Sequence, residues 1–125
     1  IGPVLKILTE LPATPAGLAL EERLRTVRVP GAQFVRTSQR YLEVIPAGSG
    51  KGGGAERLME ELRLTPEQVL AIGDGENDLS LFAAVSWSVA MGNAPDKVRR
   101  AAWAVTGTHD DGGLGAAIER YVLRT

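Results

Sequence analysis

Six consecutive residues, Gly73-Asp74-Gly75-Glu76-Asn77-Asp78, follow a run of apolar side chains and carry three carboxylates and one amide. Acids this close repel one another unless a cation shares their charge. A donor set made only of oxygens suits magnesium, which takes hard ligands and keeps several of its waters. Glycines at 73 and 75 let the backbone turn tightly and approach a ligand. An ordinary acidic turn would explain Asp74 alone, because Asp, Asn and Gly are common turn formers. It explains less well the whole hexapeptide placed directly after an apolar strand. Lys51 is the second chemical element, in Gly50-Lys51-Gly52-Gly53-Gly54 at the start of a helix. A helix amino terminus has free N–H groups and a partial positive charge that favour a phosphate. A lysine there adds a point charge. Taken alone, Lys51 reads as a solvated loop lysine; paired with the acidic turn it reads as part of a site. The pairing requires Lys51 and the Asp74–Asp78 turn to meet at one rim of a sheet.

The elements around these residues can be read from periodicity and punctuation. Val4 to Leu8 reads as a strand. Thr14-Pro15 starts a helix on which Leu20, Leu24 and Val27 recur at helical spacing, up to the stop at Pro30-Gly31. Phe34 to Thr37 and Tyr41 to Ile45 form a hairpin around Ser38-Gln39-Arg40. Ala55, Leu58, Met59 and Leu62 share one face of the next helix. Thr65 to Gln68 is a capping-box pattern that caps only a turn. Val69 to Ile72 follows as a continuous apolar strand of the kind buried on both faces of a parallel sheet. A short helix then runs through Leu79, Leu81 and Phe82, and Trp87 to Met91 is a strand. Pro95 to Ala102 is a helix, Trp103 to Thr106 a strand, and Leu114 to Leu123 a last helix with Leu114, Ile118, Tyr121 and Val122 on one face. Trp87 and Trp103 are expected in the core. His109, in a polar loop beside Asp110 and Asp111, is expected to be solvated. Alternation of strands and helices from residue 51 onward is the pattern of a doubly wound α/β domain. The boundary with the opening β-α-β-β block falls between Pro46 and Gly50.

Composition narrows the classes. The chain has 125 residues, 44% of them hydrophobic, a net charge of −1 and no cysteine. No basic excess is present to support a nucleic-acid surface. No apolar run approaches the roughly 20 residues a membrane span needs. Without cysteine there is no disulfide or zinc-thiolate framework, and a cytoplasmic setting is favoured. Ile1 is not a translation start, so the sequence is read as incomplete at its front.

At these residues the sequence resembles the haloacid dehalogenase superfamily, in particular its Cof-type sugar-phosphatase branch. The resemblance is carried by Tyr41 to Pro46 leading into Lys51-Gly52, by Ala71 to Leu79, by Val89-Ala90-Met91-Gly92-Asn93-Ala94, and by Asp110 to Leu114. It implies the second half of a Rossmann-like core at residues 48–125 and the end of an α/β cap at residues 1–47. It implies Mg2+ as cofactor, with Asp74 as a ligand and Asp78 as a second carboxylate near the metal. Lys51 would stabilise charge on the nucleophile and phosphoryl group, and Lys51, Asn77 and Asn93 would contact phosphate or substrate. The partner would be a small phosphorylated metabolite, with no nucleic acid and no membrane. The family's nucleophile motif, Asp-x-Asp-x-Thr, does not occur in the 125 residues. Residues 1–125 alone are therefore expected to be inactive and to bind magnesium weakly. They are also expected to self-associate or to pair with the missing first half through exposed sheet edges.

Two other readings remain open on sequence. Gly48-Ser49-Gly50-Lys51-Gly52-Gly53 fits the dinucleotide fingerprint G-x-G-x-x-G, with Asp74 standing about twenty residues on. That reading needs the glycine loop and the acid inside one strand-helix-strand unit. A non-catalytic interaction module with a relic site is the other. A Walker loop fails, since Gly52 stands where Ser or Thr should follow the lysine.

Overall fold

The structure is a computed structural model and describes residues 5–123. The chain divides into two compact units between Gly50 and Lys51. In the first, β1 (Ile7–Glu10), α1 (Pro15–Thr26), β2 (Ala32–Arg36) and β3 (Tyr41–Pro46) follow one another. The three strands form an antiparallel sheet in the order β1-β3-β2, with Ile7 opposite Val44 and Phe34 opposite Val44 on the other side. The hairpin expected around residues 38–40 is β2–β3. The first strand begins at Ile7 rather than Val4, which lies outside the described residues.

Helix α1 starts as its sequence dictates, with the Thr14 hydroxyl accepting from Gly17 N–H at 3.2 Å and Pro15 in the first turn. Its inward face differs from the expected leucine stripe. Leu20 and Val27 are exposed, and Gly17 and Glu21 are the buried positions. The reason is ionic. Arg36 is buried on β2, and its Nε donates to Glu21 Oε2 at 2.6 Å. Its Nη1 donates to the Leu11 and Ser38 carbonyls at 3.1 and 3.2 Å. A buried guanidinium needs an anion, and that need turns Glu21 inward.

The Glu21 carboxyl responds to this setting. Burial pushes it up, but Arg36 and Arg25 outweigh burial and bring it below its ordinary value of 4.5. Such a group stabilises the fold fully above its unfolded value, and that stability is lost as pH falls through the lower folded value. The melting temperature should therefore drop as pH is lowered from about 5 toward 3. In Glu21→Gln the part of the drop due to this group should be missing. Circular dichroism melts across that window check this.

In the second unit, α2 (Lys51–Leu62) leads through a 3-10 turn (Pro66–Gln68) to β4 (Leu70–Gly73). Gln68 Oε1 accepts from Thr65 N–H at 2.9 Å, so the capping pattern does close a single turn. A second 3-10 turn (Glu76–Asp78) runs into α3 (Leu79–Ala84), and β5 (Trp87–Ala90), α4 (Asp96–Ala101), β6 (Ala104–Val105) and α5 (Gly113–Ile118) follow. The last helical turn, Glu119–Leu123, widens to π geometry. Strands β4, β5 and β6 form a parallel sheet in that order, which is the α/β architecture the alternation predicts. Met59, Ala71, Phe82, Val85, Ala90, Ala94 and Val98 make the core. No helix of the described residues is long and apolar enough to cross a membrane.

Several apolar positions lie further out than their pattern predicts. Of the α2 face only Met59 is buried; Leu58 and Leu62 are exposed. Strand β4 buries only Ala71, because it pairs with β5 alone and stands at a sheet edge. The two tryptophans are not core residues. Trp87 is 41% and Trp103 53% exposed, and Trp103 precedes β6 rather than lying in it. They stack edge to face with each other, and Trp103 does so with Tyr121. On α5 and the turn after it, Leu114, Ile118 and Val122 are likewise exposed.

Candidate active site

The carboxyl ends of the three parallel strands carry three loops, and backbone hydrogen bonds sew these loops together. Met91 N–H donates to the Gly73 carbonyl at 2.9 Å, Gly92 N–H to Gly107 at 2.9 Å, and Thr106 N–H to Ala90 at 3.0 Å. Loops 73–78, 91–95 and 106–113 therefore form one surface. This is the rim at which open α/β sheets bind ligands.

Asp78 organises the first loop. Its side chain is buried, and the residue is only 3% exposed. Its Oδ2 accepts from Asp74 N–H and Gly75 N–H, each at 2.9 Å, closing the turn. Its Oδ1 takes the ammonium of Lys51, which reaches across from the start of α2. The Lys51 side chain stays half exposed. The resemblance implies Asp78 as a second carboxylate near the metal; here its oxygens face two amides and an ammonium. The glycines act through space rather than through backbone freedom, since neither Gly73 nor Gly75 has positive φ. A Cβ on Gly73 would stand 2.5 Å from Asp78 Cγ.

Helix α2 is held by close approach. A Cβ on Gly52 would stand 2.4 Å from the Ser80 carbonyl oxygen. Gly52 N–H donates to Ser80 Oγ at 3.2 Å, which uses one amide of the first turn. The glycine-rich stretch is thus the packed beginning of a helix, not a linker. Ser80 carries no signal that sequence reasoning could have found, because its role depends on where α2 lands.

The acids of the hexapeptide pair with cations, with one exception. Lys51 pairs with Asp78, and Lys97 donates to Glu76 Oε2 at 3.2 Å. Asp74 is exposed, and its Oδ2 accepts only a neutral donor, Asn93 Nδ2, at 3.2 Å. Asp74 is thus the one acid of the hexapeptide with no cationic partner among the described residues. A carboxylate in that condition fits a hard cation that supplies the rest of its shell from water and a phosphate. No cluster of three or more His, Cys, Asp or Glu side chains that could hold a metal occurs among the described residues. The described residues therefore offer a cation no cage of three or more such side chains. Asn77 is half buried, and no hydrogen bond of its side chain is among those described. Asn93 lies at the rim beside Asp74. The structure thus brings Lys51 and Asp78 into contact, and Asp74 and Asn93 into contact, on one surface.

His109 is at this surface through its backbone. Its N–H donates to Asn93 Oδ1 at 3.0 Å, while its ring is exposed beside Asp110. The Asp110–Gly113 stretch builds the third loop. Thr108 Oγ1 donates to Asp111 Oδ2 at 2.6 Å, and Gly113 N–H donates to the Thr108 carbonyl at 2.9 Å. The dinucleotide reading loses its frame here. Strand β3 belongs to the antiparallel sheet and β4 to the parallel one, so no strand-helix-strand unit joins the glycine loop to Asp74.

Fold and rim together define an α/β domain with a charged site at the carboxyl ends of a parallel sheet. The chain belongs to the haloacid dehalogenase-like hydrolase family, whose model matches residues 4–118. It is 36% identical over 92 residues to the chloroplastic endoribonuclease YBEY of Arabidopsis thaliana, covering 74% of this chain and 16% of that protein. It is 34% identical over 91 residues to the 5-amino-6-(5-phospho-D-ribitylamino)uracil phosphatase YcsE of Bacillus subtilis, covering 73% of this chain and 36% of that one. A solved haloacid dehalogenase-like hydrolase from Bacteroides thetaiotaomicron superposes with a TM-score of 0.71 at 39% identity, over 94% of this chain and 44% of that one. The chain thus spans less than half the length of each of these relatives.

Proposed function

We propose that the intact parent enzyme is a magnesium-dependent phosphatase of the Cof-type branch, hydrolysing the phosphate monoester of a small metabolite of the sugar-phosphate class. One observation carries this reading: Lys51 and Asp78 are in contact on the rim where Asp74 stands without a cationic partner. The family and the phospho-D-ribityl substrate in the name of the Bacillus relative support the substrate class. In this reading residues 1–47 are part of an α/β cap and residues 48–125 the second half of the core.

Asp74 would hold the magnesium ion. When bound, the ion would neutralise phosphoryl charge and orient the ester for in-line attack. Lys51, fixed by Asp78, lays its ammonium beside the phosphoryl oxygens and offsets charge that grows in the transition state. Asp78 keeps the Asp74 amide, and with it the Asp74 backbone, at the rim. Asn77 offers its amide to the phosphate or substrate, while the Asn93 amide is engaged by Asp74 and the His109 N–H. A carboxylate nucleophile of the kind that forms an acyl phosphate would come from outside these 125 residues, which contain no Asp-x-Asp-x-Thr. The exposed apolar side chains of α5 suit pairing with that portion.

Residues 1–125 are therefore expected to show no turnover of p-nitrophenyl phosphate above background, with or without magnesium. Calorimetric titration should detect weak magnesium binding that Asp74→Asn reduces at least tenfold. Turnover by this chain would contradict a nucleophile outside these residues, and equal magnesium binding by the variant would contradict the metal role of Asp74.

A further inference from the structure

Asn93 joins two of the three rim loops through both ends of its amide. Its Nδ2 donates to Asp74 Oδ2 at 3.2 Å, and its Oδ1 accepts from His109 N–H at 3.0 Å. The acceptor end matters as much as the donor end. A side-chain amide swings freely unless both ends are held, and a backbone N–H in a closed turn is a fixed post. That turn is itself tied down, by Thr108, Asp111 and Gly113. Loop 91–95 is anchored too, by Met91 N–H on Gly73 and Gly92 N–H on Gly107. Asn93 is thus a strut between a fixed loop and an exposed carboxylate. Among the described residues, no hydrogen bond or ion pair reaches the other oxygen, Asp74 Oδ1.

We infer that Asn93 is a positioning residue for Asp74: it selects one rotamer of the carboxylate and leaves Oδ1 turned outward for a cation. The inference deepens the phosphatase reading and rests on it for the identity of that cation. It differs from a substrate contact, because both polar ends of the Asn93 side chain are already used within the protein. Groups that orient a metal-binding carboxylate set its affinity by sparing the ion the cost of ordering it. Losing such a partner commonly lowers metal affinity by about 10- to 100-fold.

The test uses the whole chain, isotope-labelled, and two variants. Three-bond couplings from the Asp74 Cγ to its amide nitrogen and carbonyl carbon report its χ1 rotamer directly. The wild type should show one rotamer; Asn93→Ala should show averaged couplings and magnesium affinity about tenfold lower. Asn93→Asp keeps the oxygen that the His109 N–H requires, removes the donor to Asp74 and sets a second carboxylate in its place. It should lose the wild-type rotamer as well. Single-rotamer couplings for Asp74 in both variants would overturn the inference, as would averaged couplings with unchanged magnesium affinity. Failure of the phosphatase reading looks different: Asp74→Asn would then bind magnesium as the wild type does, while the couplings still report whether Asn93 holds the carboxylate.

Discussion

Asp78→Ala should destabilise residues 51–125 by about 2–4 kcal/mol, and most of that loss should come from two backbone amides rather than from the ion pair. The Asp78 carboxylate is buried and is the acceptor for both Asp74 N–H and Gly75 N–H at 2.9 Å. Each amide left without an acceptor costs on the order of 1–3 kcal/mol. The Lys51 ammonium is half exposed and regains water when its partner goes, so the pair itself is worth at most about 1 kcal/mol. Asp78→Asn separates the two contributions. Its oxygen can still accept the two amides, so most stability should remain, while Lys51 loses its anchor. Urea unfolding gives the energies, and the Asp74 and Gly75 amide resonances report the turn. Equal losses for Asp78→Ala and Lys51→Ala would show that the ion pair, not the amides, holds the loop.

Much of this site was legible because its residues are contiguous and follow a strand. The turn at 73–78, the lysine at a helix start and the α/β alternation all declare themselves locally, through spacing and punctuation. What sequence could not supply was the division of labour among like side chains. Asp74 and Asp78 are the same residue four positions apart, yet one is exposed with a neutral partner and the other is buried under three donors. That difference is made by Lys51 arriving from 27 residues away and by the tight return of the turn upon itself. The glycines show the same limit: Gly73 reads as a conformational aid, and it is a clearance for Asp78, as Gly52 is for Ser80.

Periodicity failed where burial is decided by a partner outside the local element. The leucine stripe of α1 was overruled by one ion pair. The apolar positions of α5 and the two tryptophans follow a buried pattern and are exposed in this chain. A helix or strand encodes which face is apolar, but not whether this length of chain covers that face. The Bacillus subtilis and Bacteroides thetaiotaomicron relatives are more than twice as long, in keeping with apolar faces in excess of what these residues can bury.

Glu21→Ala should be the most damaging change in residues 1–50, because it strands a buried guanidinium. Removing one member of a buried pair costs about 3–5 kcal/mol, chiefly the burden of the charge left behind. A unit of this size has little stability in reserve. The two partners are not equivalent, and this makes the prediction sharper. If Arg36 is replaced by methionine, Glu21 keeps Arg25, whose Nε and Nη2 donate to Oε1 at 3.0 and 2.6 Å. Methionine also fills much of the arginine's volume, and what is lost is the pair of donors to the Leu11 and Ser38 carbonyls. If Glu21 is replaced, Arg36 keeps only those two neutral carbonyls. Glu21→Ala should therefore cost at least about 1 kcal/mol more than Arg36→Met. Adding Arg36→Met to Glu21→Ala should recover part of the loss, since it removes the stranded charge. Urea midpoints for the two single variants and the double variant decide the matter. An Arg36→Met loss equal to or above that of Glu21→Ala would mean that the carbonyl contacts, not charge neutralisation, set the inward face of α1.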